Sequence, residues 1–195
     1  AVSDSITVSG DGVAKPAVFT RAQLEKMEQH QQVYSSVNTW PTKKWYVGKG
    51  VKLTELLAAA EIKDEAALIK FSSQDGYTIT VTVQELLRDD RYCFPHFKDN
   101  ADGDGVVPGS PLGAEKVEAI IALRSAEGSN NPAYMSDLNT LLLMVGQRAV
   151  TEQSGNLFVK YLNKIEVMTG EIPQWDAPRA NPGSGEVEPG AMVAL

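Results

Sequence analysis

The chain has 195 residues, and its 43% hydrophobic and 22% charged side chains make it too apolar for a disordered chain and rich enough for a sizeable core. Lys and Arg number 18 against 25 Asp and Glu, and the net charge of -7 argues against a protein that grips the phosphate backbone of nucleic acid. The single Cys93 excludes an intramolecular disulfide, a Cys-x-x-Cys pair and multi-cysteine metal sites, and no run of eighteen apolar residues offers a membrane span.

Along the chain, Ile6 to Gly10 reads as a strand, with Gly10 to Gly12 as its turn. Thr20-Arg21-Ala22-Gln23 spells a capping box that opens a short helix through Leu24 and Met27. Gln31 to Val37 suits a strand, ended at Trp40-Pro41, and Trp45 to Val47 is a second short strand or extended lead. Leu53, Leu56, Leu57 and Ala60 share one face of a 3.6-residue period, which predicts a short amphipathic helix. Ala67 to Ser72 and Tyr77 to Val81 form a hairpin about Gln74-Asp75-Gly76, and Thr82 to Glu85 is a second capping box. Val117 to Leu123 is apolar enough for a buried strand, and Leu141 to Val145 is either a buried strand or the end of a helix from Ser136. Phe158 to Val167 closes the folded part.

Strands with short helices and no regular βαβ spacing predict an α+β fold of mixed β-sheets. Residues 1–172 read as one domain. Residues 173–195 read as a Pro/Gly-rich linker, followed by either a frayed tail or the start of a truncated further module. The start at Ala1 suits a processed secreted protein or an excised piece.

Asp99, Asn100, Asp102 and Asp104 supply oxygen ligands at close spacing, with Gly105 for a bend, so this stretch is either a calcium site or a solvated Asp-Gly loop. An EF-hand fails here, because Pro111 stands where a bidentate Glu belongs. Cys93, near His96, reads as a buried small hydrophobe, and His30 as a surface residue. Arg148, Lys160 and Lys164 either line an anion pocket or are solvated. Trp40, Trp45 and Tyr46, interleaved with Lys43 and Lys44, either flank a ligand groove or serve core and lid packing. Gly-x-Gly-x-x-Gly, Walker, nucleophile-elbow and His-Glu-x-x-His motifs are all missing from the sequence.

Four ordered segments carry a resemblance: VSGDGVAKPAVFTRAQLEKM (Val8 to Met27), GVKLTELLAAAEIK (Gly50 to Lys63), IKFSSQDGYTITVTVQELL (Ile69 to Leu87) and FVKYLNKIEV (Phe158 to Val167). Together they resemble the molybdopterin-binding domain of the sulfite oxidase superfamily, in its small exported bacterial branch. NPGSGEVEPGAMVAL (Asn181 to Leu195) is similar to the start of a chitobiase C-terminal-like module. The resemblance implies export to the periplasm or cell surface, further domains of a larger surface protein, and a small-molecule or protein ligand.

An active member of that family implies a pyranopterin whose molybdenum is held by a cysteine thiolate in the stretch that corresponds to Val33 to Asn38. Here that stretch holds Ser35, Ser36 and Asn38 and no cysteine, while Cys93 lies after the hairpin. A hard serine oxygen would make a different enzyme from a soft thiolate. A family lysine that helps hold the cofactor's phosphate is replaced by Leu157, whereas Gly155 and Lys160 are kept. The resemblance therefore implies a cofactor or ligand set of Ser35, Ser36, Asn38, Arg148, Gly155, Lys160 and Lys164. The expected function is a non-catalytic exported or cell-surface binding module. Its alternative is a molybdopterin-dependent oxidoreductase domain that still binds the pterin.

Overall fold

The structure, a computed structural model, describes residues 3–39, 42–99 and 109–170. Strands β1 (Ser5–Ser9) and β2 (Ala17–Thr20) lead into helix α1 (Arg21–Lys26). Its capping box forms in full, with Gln23 N–H donating to Thr20 Oγ1 at 3.2 Å and Thr20 N–H to Gln23 Oε1 at 2.8 Å. Strands β3 (His30–Val37) and β4 (Lys43–Lys52) follow, then helix α2 (Leu53–Ala59). No side chain caps α2; the Ala119 carbonyl instead accepts from Leu53 N–H at 3.0 Å. The hairpin of β5 (Leu68–Ser73) and β6 (Thr78–Thr82) turns through Gly76 at φ +98°, a conformation that favours glycine. Thr82 and Glu85 then exchange bonds of 2.7 and 3.0 Å at the entry to a helical turn over Gln84–Arg88. Short strands β7 (Tyr92–Cys93) and β8 (Glu115–Lys116) pair with each other, and β9 (Ile120–Glu127), β10 (Leu142–Met144) and β11 (Leu162–Met168) complete the series.

One sheet runs β2-β1-β11-β5-β6, all antiparallel except the parallel pair β1 and β11. The other runs β10-β9-β4-β3 and is antiparallel throughout. The α+β expectation therefore holds, and Leu142–Met144 resolves as a strand against β9. The three-residue strand expected at Trp45 is in fact the ten-residue β4. Pairing on both sides, with β3 and β9, outweighs the low strand preference of Gly48 and Gly50. A register shift between Lys49 and Gly50 absorbs the local irregularity.

A single buried cluster joins the two sheets. The first sheet contributes Ile6, Val8, Ile69, Phe71, Ile165 and Val167; Tyr34, Val51, Ile121 and Leu142 come from the second. Helix α2 adds Leu53, Leu56 and Leu57, the face its periodicity announces. At about 25 cal/mol per Å² of apolar surface, this burial is the main force that fixes the loop ends described next.

Candidate functional site

Chain segments from both sheets meet around a cavity of about 490 Å³. Asn38 and Thr39 follow the end of β3; Ser73, Asp75 and Tyr77 come from the β5–β6 turn; Gly155, Asn156, Phe158, Val159 and Lys160 precede β11. The turn is rigid. Ser73 Oγ bonds the Asp75 carboxylate, Tyr77 N–H donates to Ser73 Oγ at 3.0 Å, and Gln74 N–H donates to the Tyr161 carbonyl at 2.8 Å. Tyr77 OH reaches across to the Asn156 carbonyl at 2.7 Å, tying two walls together. Gly155 permits a close approach, since a Cβ there would lie 3.0 Å from Asn38 Cα and Cβ, tighter than ordinary contact. Phe158 stacks on Tyr46 at 4.3 Å between ring centroids and meets the edge of Tyr34 at 6.3 Å.

The electrostatics of the cavity are mixed. The hydrogen bond from Ser73, then the one from Tyr77 N–H, holds the Asp75 carboxyl below its ordinary value. Lys160 Nζ lies 2.7 Å from Glu127 Oε1, and Lys44 Nζ lies 2.7 Å from Glu127 Oε2. Burial pushes the Glu127 carboxyl upward, but bonds from Lys160 and Lys44 more than offset this and leave it lowered. Burial, then the charge of Glu127, raises the neighbouring Tyr46 phenol. Lys160 therefore reaches the cavity already paired.

Beside this cavity, Ser35 is fully buried and its hydroxyl is committed twice. It donates to Gln147 Oε1 at 2.6 Å and accepts from Phe94 N–H at 3.0 Å. Ser36 is also buried. Cys93 packs nearby; burial pushes its thiol up to about 11 against the opposing pull of bonds with Ser35. Such a thiol stays protonated at neutral pH and is a poor nucleophile or metal ligand.

Of the residues expected from sequence, Asn38, Gly155 and Lys160 converge on the cavity, and Ser35 and Ser36 lie on the strand that leads to it. Arg148 is held elsewhere, with Nε 2.7 Å from Glu152 Oε2 and one terminal nitrogen 3.3 Å from Asp89 Oδ2. Lys164 is exposed on β11, opposite Thr7 and Ser72. Asp99 is exposed and sits 2.7 Å from His96 Nδ1; Asn100, Asp102 and Asp104 lie outside the described residues, as does Trp40. Trp45 packs edge-on against Phe97 at 4.8 Å. Sequence reading missed Asp75, Tyr77, Asn156 and Glu127. The first two were visible only as a hairpin turn, and Glu127 carries no local signal.

The fold is α+β, with a mixed five-stranded sheet, an antiparallel four-stranded sheet and short helices. The chain is similar to the sulfane dehydrogenase SoxCD from Paracoccus pantotrophus, with a TM-score of 0.53 and 14% identity, over 84% of this chain and 38% of that one. Identity this low speaks for the fold alone, and the chain spans well under half the length of that neighbour. No protein-family model and no curated protein sequence matches the chain. No described helix is long and apolar enough to cross a membrane.

Proposed function

We propose that this chain is a binding module that takes a small polar organic ligand in the cavity at the end of β3, without a thiolate-held molybdenum reaction. The observation that carries this reading is the chemistry beside the cavity. Where the resemblance calls for a cysteine thiolate, Ser35 has its hydroxyl bonded to Gln147 and Phe94. The lone thiol, Cys93, is buried and raised to about 11. These residues do not fit the metal-bearing cofactor, because soft thiolate ligation fixes and tunes such a metal. A phosphate would also have to compete with Glu127 for Lys160 and face the Asp75 carboxylate. The lining instead suits a ligand with a hydroxyl or amine donor for Asp75 and an apolar face for Phe158 and Tyr77.

A second reading rests on one observation, the convergence of Asn38, Gly155 and Lys160. It makes the chain an oxidoreductase domain that still holds the pterin. One experiment separates the two. Protein from a host with intact molybdenum-cofactor assembly is analysed for molybdenum by mass spectrometry and for pterin by fluorescence after oxidation. The binding-module reading expects neither; stoichiometric pterin or molybdenum overturns it.

A further inference from the structure

At the far end of β3, three side chains meet that the cavity does not use. Glu28 lies in the link from α1, His30 opens β3, and Glu55 sits in the first turn of α2. Their ligand atoms all lie within 4.8 Å of one another. His30 Nε2 is 3.5 Å from Glu55 Oε2 and 4.0 Å from Glu28 Oε2. These separations are too long for well-formed hydrogen bonds, and Nε2 is shut off from solvent with no hydrogen-bond partner. A ring nitrogen hidden from water and facing two carboxylates, with no well-formed bond to either, offers a place for a cation between them.

The supports are fixed. Gln29 Nε2 donates to the Leu24 and Met27 carbonyls at 2.9 and 3.0 Å, pinning the link that carries Glu28. His30 is paired in register with Gly50 of β4, and α2 is anchored by buried Leu53, Leu56 and Leu57. Ligands that ride on packed elements hold their geometry better than ligands on free loops.

We propose that Glu28, His30 and Glu55 form a three-ligand site for a divalent transition-metal ion of the zinc class. Zinc bonds of about 2.0–2.2 Å place tetrahedral ligand atoms about 3.3 Å apart. Glu55 is nearly in position, and Glu28, which is exposed, swings inward by up to about 1.5 Å. One imidazole with two carboxylates suits zinc and its neighbours, whereas calcium and magnesium ask for six or more oxygens. A fourth position is left for water. The site is separate from the cavity, because the eight residues of β3 span roughly 26 Å at about 3.3 Å each.

The test is a titration of the chelator-treated chain with zinc chloride in competition with a chromophoric chelator. One equivalent is expected to bind. His30→Ala and Glu55→Gln each weaken binding by about tenfold or more, as does Glu28→Gln on its exposed side chain, while His96→Ala changes nothing. Circular dichroism spectra that match the parent certify that the variants fold. The proposal is overturned by no stoichiometric zinc, by full affinity in Glu28→Gln and His30→Ala, or by loss in His96→Ala alone. Calcium chloride binding as tightly as zinc overturns the assignment of ion class.

Discussion

Two charge clusters, each holding one cation that reads in sequence as a candidate anion ligand, Arg148 or Lys160, differ in how completely they close on themselves. In one, Arg91 and Arg148 face Glu85, Asp89 and Glu152. Arg91 is only 4% exposed and donates to the Glu85 and Gly146 carbonyls at 2.9 and 2.8 Å. Two cations among three carboxylates leave nothing for an external anion. In the other, Lys44 and Lys160 share the single carboxylate of Glu127, and Lys160 lines the cavity. One positive charge remains in excess there. Whether a cation serves a ligand is decided by the number of carboxylates within reach, and spacing along the chain does not report that number.

The strongest test of the contrast is Arg91→Met. It takes away one of the two arginines that hold Glu152 and removes a donor from the Glu85 and Gly146 carbonyls, so a loss of about 3 kcal/mol is expected in denaturant unfolding. A loss under about 1 kcal/mol would erase the structural character of that cluster. Next comes Glu127→Gln, which should release Lys44 and Lys160. Phosphate affinity measured by calorimetry should rise several-fold, with stability moving by less than about 1 kcal/mol. The matched change Glu152→Gln should give no such gain, because Asp89 and Glu85 still hold Arg148. Equal gains in both variants would show that the clusters are equivalent.

The smallest expected effect concerns acid. Bonds from Gln84 and then Arg148 lower the Asp89 carboxyl, and Glu127 is lowered by its two lysines against the opposing effect of burial. A carboxyl depressed in the folded state stabilises it above the unfolded value of about 4, and that contribution fades as pH falls through the folded value. Arg148→Ala should therefore make the acid limb of a stability–pH curve shallower while leaving neutral-pH stability within about 1 kcal/mol. An unchanged limb would show that Arg148 has no hold on Asp89.

Local chemistry was the legible part of this molecule. Both capping boxes and the Gln74-Asp75-Gly76 turn depend on residues within a few positions of one another, and all three form. The burial of Cys93 was also readable, from its apolar surroundings. Its neighbour Ser35 was not, because strand-to-strand contact between β7 and β3 leaves no periodic mark. Lys160 was singled out, yet its partner Glu127 ends a different strand in the other sheet. The length of β4 was hidden by Gly48 and Gly50, whose meaning depends on the strands on either side.

The parallel pairing of β1 with β11 sets an order of events in folding. Thr7 sits opposite Lys164, and Thr169 then latches to Asp11 through its N–H at 2.8 Å and its hydroxyl at 3.0 Å. Strand β11 is also the middle of its five-stranded sheet, so β1–β2 and β5–β6 have no common partner until it arrives. On a ribosome each of the two early hairpins keeps an unpaired edge until a strand made after nearly every other element of the sheet arrives.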